Sequence, residues 1–145
     1  MEKKLRQAVM AVFVNEKNQV LIGSSPRDGG YKFPQGGIDK GETPKETLIR
    51  ELKEELGIDL DEDLILNEFE EKVVYYFPDE IAKQRDYDGQ QQVVFKIKYS
   101  PKLNFVPQDN EFEKLIWISS KDLSKFDFKH RKPAYFKALE LCELL

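Results

Sequence analysis

The chain has 145 residues, 40% hydrophobic and 34% charged, with 23 Lys and Arg against 27 Asp and Glu for a formal net charge of −4. This suits one globular domain over residues 1–145 with a real core, and the charge does not advertise nucleic-acid binding. The single cysteine, Cys142, excludes an internal disulfide and fits a reducing cytoplasm, while no run is apolar enough for a membrane span and residues 1–10 lack the apolar stretch of a signal peptide.

Residues 6–14 and 19–23 read as strands joined by a turn over 15–18. Residues 24–30 form a loop rich in Ser, Gly and Pro, and residues 36–42 form a second, glycine-rich loop. A helix is predicted over 44–56. Thr43 is its N-cap, Pro44 suits its first position, Glu46 completes a T-x-x-E capping box, and Gly57 suits the left-handed residue that ends it. Residues 64–77 predict two short strands or one bent strand, followed by a polar loop over 78–89. Residues 92–99 alternate like a half-buried strand, and 113–118 give another. Ser119 and Ser120 cap a short helix, and a last helix is expected over 131–144. Helix and strand mix without regular βαβ repetition, which argues against a doubly wound sheet.

The helix over 44–56 carries the chemistry. At about 100° per residue, Arg50, Glu51, Glu54 and Glu55 fall in one polar sector opposite Leu48, Ile49, Leu52 and Leu56. Glu51 repels Glu54 and Glu55 at i+3 and i+4, and the last two sit where the helix dipole disfavours anions. A bound Mg²⁺ or Mn²⁺ reverses both penalties, because such ions take hard carboxylate oxygens. A glycine-rich loop feeding this helix makes a sensible cradle for metal and phosphate.

The stretch 36–58 resembles the signature of the Nudix hydrolases, G-x5-E-x7-R-E-U-x-E-E-x-G-U with U a bulky aliphatic residue. Gly36, Glu42, Arg50, Glu51, Leu52, Glu54, Glu55, Gly57 and Ile58 fill every defined position. The resemblance implies an α/β/α sandwich around a mixed sheet. It also implies hydrolysis of a nucleoside diphosphate linked to another group, with Glu51, Glu54, Glu55 and the Gly36 carbonyl binding divalent metal. Glu42, Arg50 and Gly57 would be architectural, the first two pairing to fix loop against helix.

Outside the signature, residues 31–39 (Y-K-F-P-Q-G-G-I-D) are similar to the approach shared by bacterial RNA 5′-pyrophosphohydrolases and plant-type dinucleoside tetraphosphate hydrolases. Gly89-Gln90-Gln91-Gln92, Glu111-Phe112-Glu113 ahead of Trp117, and Phe128-Lys129 also resemble that subgroup. This implies Glu111 as a fourth carboxylate at the metal site, either ligand or base. Phe128 would stack on the first base, and Lys129 and Arg6 would contact phosphate. Arg27 and Tyr31 are further expected substrate contacts. The loop before Tyr31 is less basic than in the RNA-processing relatives, offering only Arg27. Trp117 reads as core, Cys142 as a small apolar residue of the last helix, and His130 as a surface or phosphate-proximal residue. The basic, aromatic-bearing residues 121–137 read either as a nucleotide-holding surface or as an amphipathic helix with its aromatics inward.

The expected reaction is metal-dependent conversion of triphosphorylated or diphosphorylated RNA to the 5′-monophosphate, with Glu51 or Glu111 helping to deprotonate the attacking water. The alternative is asymmetric hydrolysis of diadenosine tetraphosphate or a related dinucleoside polyphosphate. A non-catalytic nucleotide-binding module is a third reading, although such modules usually lose signature acids and this chain keeps them all. Neither a membrane nor an obligate protein partner is expected.

Overall fold

A computed structural model describes residues 2–108 and 111–145. In chain order the elements are β1 (Leu5–Val14), β2 (Gln19–Ser24), β3 (Tyr31–Lys32), β4 (Gln35–Gly37), α1 (Pro44–Leu56), β5 (Ile65–Glu68), β6 (Val73–Tyr76), α2 (Asp79–Ala82), β7 (Gly89–Lys98), β8 (Lys114–Ser119) and α3 (Lys132–Leu141). Strands β1 and β7 run parallel in unbroken register from Leu5 opposite Gly89 to Val14 opposite Lys98. Every other pairing is antiparallel, so the sheet is mixed: β2 and β4 pair with β1, β3 and β8 with β2, and β5 and β6 with β7.

Strand β1 explains the layering. From Ala8 to Val14 it is buried on both faces, as expected of a strand covered on two sides. Val9, Ala11 and Phe13 join Leu48, Leu52 and Leu56 of α1. Met10, Val12 and Val14 join Tyr135, Ala138 and Leu139 of α3. Period-two alternation thus serves a helix on each side, and the molecule is the α/β/α sandwich around a mixed sheet that the signature implied.

Helix α1 has the bounds its local sequence encodes. Thr43 Oγ1 accepts from the Glu46 N–H, and the Glu46 carboxylate accepts from the Thr43 N–H at 2.9 Å. Gly57 ends the helix at φ 66°, a conformation that costs a side-chain-bearing residue about 1 kcal/mol or more. The region 64–77 resolves into two strands, β5 and β6. The polar loop after β6 contains the short helix α2, which sequence reading did not anticipate. Strands β3 and β4, of 2 and 3 residues, are too short for a periodic signal. Among the described residues no helix is long and apolar enough to cross a membrane.

Two sequence expectations change at this level. Phe128 does not offer its ring to a base: it is 1% exposed, lies parallel to Phe33 and meets Tyr135 edge-on. The aromatic side of the 121–137 region therefore turns inward. Lys129 points outward with its Nζ 3.0 Å from Asp127 and does not line the cleft described below. Arg131 instead turns inward, donating to the carbonyls of Gly29 and Tyr31 at 2.8 and 3.2 Å and holding the loop before β3 against the start of α3. Cys142 is a buried free thiol, and burial pushes it up to about 12.

Candidate active site

The glycine-rich loop, α1, the connection from β2 into β3 and the loops before β7 and β8 surround one cleft of about 510 Å³, a size that suits a nucleotide. Its acidic wall is Glu51, Glu54 and Glu111; Arg6, Arg27, Lys32 and Arg85 supply positive charge; Tyr75, Phe77 and His130 supply rings.

Arg50 organises the loop–helix junction. Its Nε and Nη2 donate to the Glu42 carboxylate at 2.8 and 2.9 Å, and Nη2 also donates to the Gly37 carbonyl at 3.1 Å. Glu42 further accepts from the Asp39 N–H and the Thr47 hydroxyl, both at 2.9 Å. The Arg50 hydrogen bonds, with help from Asp39 N–H, hold the Glu42 carboxyl down at about 2. The remaining nitrogen, Nη1, lies 2.9 Å from Glu51 and 3.3 Å from Glu54.

The four candidate carboxylates differ sharply in environment. Glu54 is 57% exposed, whereas Glu51 and Glu111 are mostly covered. Glu55 is 2% exposed. It sits at the edge of the polar sector of α1, beside Leu48, and the packed face swallows it. Burial, with Glu51 next to it, pushes Glu55 well above the usual carboxylate range, and its Oε1 has no hydrogen-bond partner among the described residues. Glu111 is forked by Arg27, Nη1 to Oε1 at 2.6 Å and Nη2 to Oε2 at 2.9 Å, and reached by Lys32 Nζ at 3.2 Å.

Among the described residues no three such side chains form a ready-made metal cage. The reason is visible: Arg50 draws Glu51 and Glu54, while Arg27 occupies both oxygens of Glu111. The donor set nevertheless fits a hard divalent cation. An orphaned, buried carboxylate oxygen at Glu55 wants a cation. At Gly36 a Cβ would meet Glu51 Cδ at 2.1 Å, so only glycine lets that carboxylate lie against the loop backbone. All the oxygens are of the type Mg²⁺ and Mn²⁺ prefer.

The remaining expected contacts separate. Arg6 and Arg27 line the cleft. Tyr31 is half-buried and packs edge-on against Phe126. His130 packs against both Tyr75 and Phe77 in a cluster of three touching rings; burial, then Arg131 and Arg85, hold its imidazole down at about 4. Gln35 bridges Tyr75 and Tyr135, donating to the first and accepting from the second. Sequence reading missed Lys32, Tyr75, Phe77 and Arg85 as cleft residues. Lys32 carried a signal, a charge between the aromatics Tyr31 and Phe33, but nothing local says which side of the sheet is polar.

The NUDIX domain model matches residues 4–139. A protein named RNA pyrophosphohydrolase from a Nitratiruptor species is 41% identical over 149 aligned residues, covering 97% of this chain and 95% of that one. Another of that name from Campylobacter jejuni subsp. jejuni is 35% identical, covering 98% and 95%. Among solved structures, the E. coli dihydroneopterin triphosphate pyrophosphohydrolase superposes with a TM-score of 0.76 at 14% identity over 97% of each chain, a likeness of fold. Taken with a complete signature whose Gly36, Glu51 and Glu54 line one cleft, these matches show that the chain is a hydrolase belonging to the Nudix family.

Proposed function

We propose that this enzyme is a divalent-metal-dependent pyrophosphohydrolase acting on the 5′ end of triphosphorylated or diphosphorylated RNA and leaving a 5′-monophosphate. The observation that carries the reading is an acidic wall facing a set of cations in one cleft, Glu51, Glu54 and Glu111 against Arg6, Arg27, Lys32 and Arg85. The names of the two relatives support the RNA end as substrate. Residues 1–145 are taken as one domain, and the single buried thiol suits a reducing cytoplasm.

Glu51, Glu54, Glu55, Glu111 and the Gly36 carbonyl would hold Mg²⁺ or Mn²⁺, which when bound neutralises phosphoryl charge and lowers the pKa of a water. The protein's own groups do the rest. Arg6 and Arg85 are placed to hold the phosphate chain, and Arg27, 55% exposed on its side chain, can turn from Glu111 to a phosphate. Glu51 or Glu111 accepts a proton from the attacking water. The half-buried rings of Phe77 and His130, which line the cleft, offer the first base a surface that the buried Phe128 does not. His130 is neutral at physiological pH and is not required as the base.

A second reading, hydrolysis of a dinucleoside polyphosphate, draws support from the net charge of −4 and from the way acids already pair with Arg27 and Lys32. Turnover of triphosphorylated RNA is compared with that of diadenosine tetraphosphate, with Glu54→Gln as control. Faster release from RNA, lost in Glu54→Gln, supports the first reading. Preference for the dinucleotide moves the assignment to the second, and near wild-type turnover in Glu54→Gln with Mg²⁺ present sinks the metal assignment.

A further inference from the structure

Lys32 is 2% exposed, and an ammonium is rarely buried without a reason, because desolvating it costs several kcal/mol unless it is paired. Its Nζ lies 2.8 Å from Asp28 Oδ2 and 3.2 Å from Glu111 Oε2, above the Phe112 ring at 5.6 Å from the centroid. Arg27 reaches the same two acids, at 3.2 Å from Asp28 Oδ2 and 2.6 Å from Glu111 Oε1. The four side chains therefore close a ring in which positive and negative charges alternate.

The ring joins two separate pieces of chain. Arg27, Asp28 and Lys32 come from the connection between β2 and β3 and from β3 itself, whereas Glu111 comes from the loop before β8. That loop is pinned through its backbone at both ends. The Gln108 N–H donates to the Glu55 carbonyl at 2.9 Å, the Glu111 N–H to the Gln108 carbonyl at 3.1 Å, and the Glu113 N–H to the Ser24 carbonyl at 3.0 Å. Backbone bonds thus set where Glu111 stands, and the ring sets where its carboxylate points. The two cations differ in freedom. Arg27 is 55% exposed on its side chain and can leave for a phosphate; Lys32, at 3%, cannot. When Arg27 leaves, Lys32 keeps Oε2 and Oε1 is released into the cleft.

We propose that Lys32, clamped by Asp28, is a positioning residue that aims the Glu111 carboxylate into the cleft beside Glu51 and Glu54 and so completes the metal-binding set. The proposal rests on reading Glu111 as a metal-site carboxylate. A side chain present only for packing would be served as well by methionine, which has the length without the charge.

The test is a double-mutant cycle between Lys32→Met and Glu111→Gln. Mn²⁺ affinity of the substrate-free protein is read by EPR titration, and kcat and KM on a triphosphorylated dinucleotide are read alongside. Each single change is expected to weaken Mn²⁺ binding and kcat by roughly 10–100-fold with KM little moved, as for other partners that orient a ligand. The double variant should be no worse than Glu111→Gln alone. Losses that add, or an unaffected Lys32→Met beside an impaired Glu111→Gln, overturn the proposal while leaving Glu111 in its role. An unimpaired Glu111→Gln overturns the reading beneath it and the proposal together. Thermal melts verify folding, and Lys32→Gln, which keeps a donor without the charge, serves the same cycle if the Met variant does not fold.

Discussion

Arg50 and Glu42, eight positions apart, meet as a fork: Nε and Nη2 of the guanidinium lie 2.8 and 2.9 Å from the two carboxylate oxygens. Because Nη2 also holds the Gly37 carbonyl at 3.1 Å, one side chain sets the loop that carries Gly36 against the helix that carries the acids. A lysine supplies the charge but not the planar two-point grip.

Arg50→Lys is therefore expected to fold, melt at a lower temperature and lose kcat, by up to about 100-fold if the loop drifts by about 1 Å. Circular-dichroism melts and steady-state kinetics check both parts; unchanged kcat would show that the fork is not what places the loop.

Glu55 is expected to trade stability for function. Its folded pKa is raised above 4.5 by burial and by Glu51, so above that pH the unfolded chain releases a proton that the folded one keeps. Stability of the metal-free protein then falls as pH rises from about 4.5 toward the folded pKa. Glu55→Gln removes this slope, gains on the order of 1 kcal/mol at neutral pH, and abolishes turnover. Mg²⁺ at about 100 times its Kd should add about 2.7 kcal/mol to wild type. The gain grows with pH, because the ligands must be deprotonated. Melts with and without Mg²⁺ across pH 5–8 measure it.

Phe128→Ala should cost about 3–5 kcal/mol, as for other buried aromatics, and leave KM for RNA unchanged. Chemical denaturation and kinetics separate the outcomes. A raised KM with a normal denaturation midpoint would return the ring to the ligand.

His130, the one histidine of the chain, titrates near 4 rather than 6.5. Between those values the unfolded state binds a proton that the folded state refuses, so stability is flat above about 6.5 and declines as pH falls toward 4. His130→Gln should lessen that decline. The imidazole NMR signals give the midpoint directly, and a midpoint near 6.5 would refute the burial argument.

The helix over 44–56 was legible almost to the residue, because Thr43, Glu46 and Gly57 act within five positions of the groups they satisfy. Strand β1 was legible because a continuous run of apolar β-formers extends from Ala8 to Val14. Strands β3 and β4 were not, because each is made by pairing with another strand rather than by its own pattern, and the four-residue helix α2 after β6 is too short to carry a periodic signal.

The site divides along the same line. Sequence alone determined the set of acids on α1, the loop that precedes them and the chemistry they imply, since spacing on a helix fixes which side chains share a face. Tertiary structure alone decided that Glu55 is swallowed while Glu54 stays open, that Phe128 and Arg131 turn inward, and that Lys32 meets Glu111 across 79 positions of chain. Those choices depend on which surfaces pack together and on where a buried charge finds its counter-charge. No local pattern encodes a partner brought in from the far end of the fold.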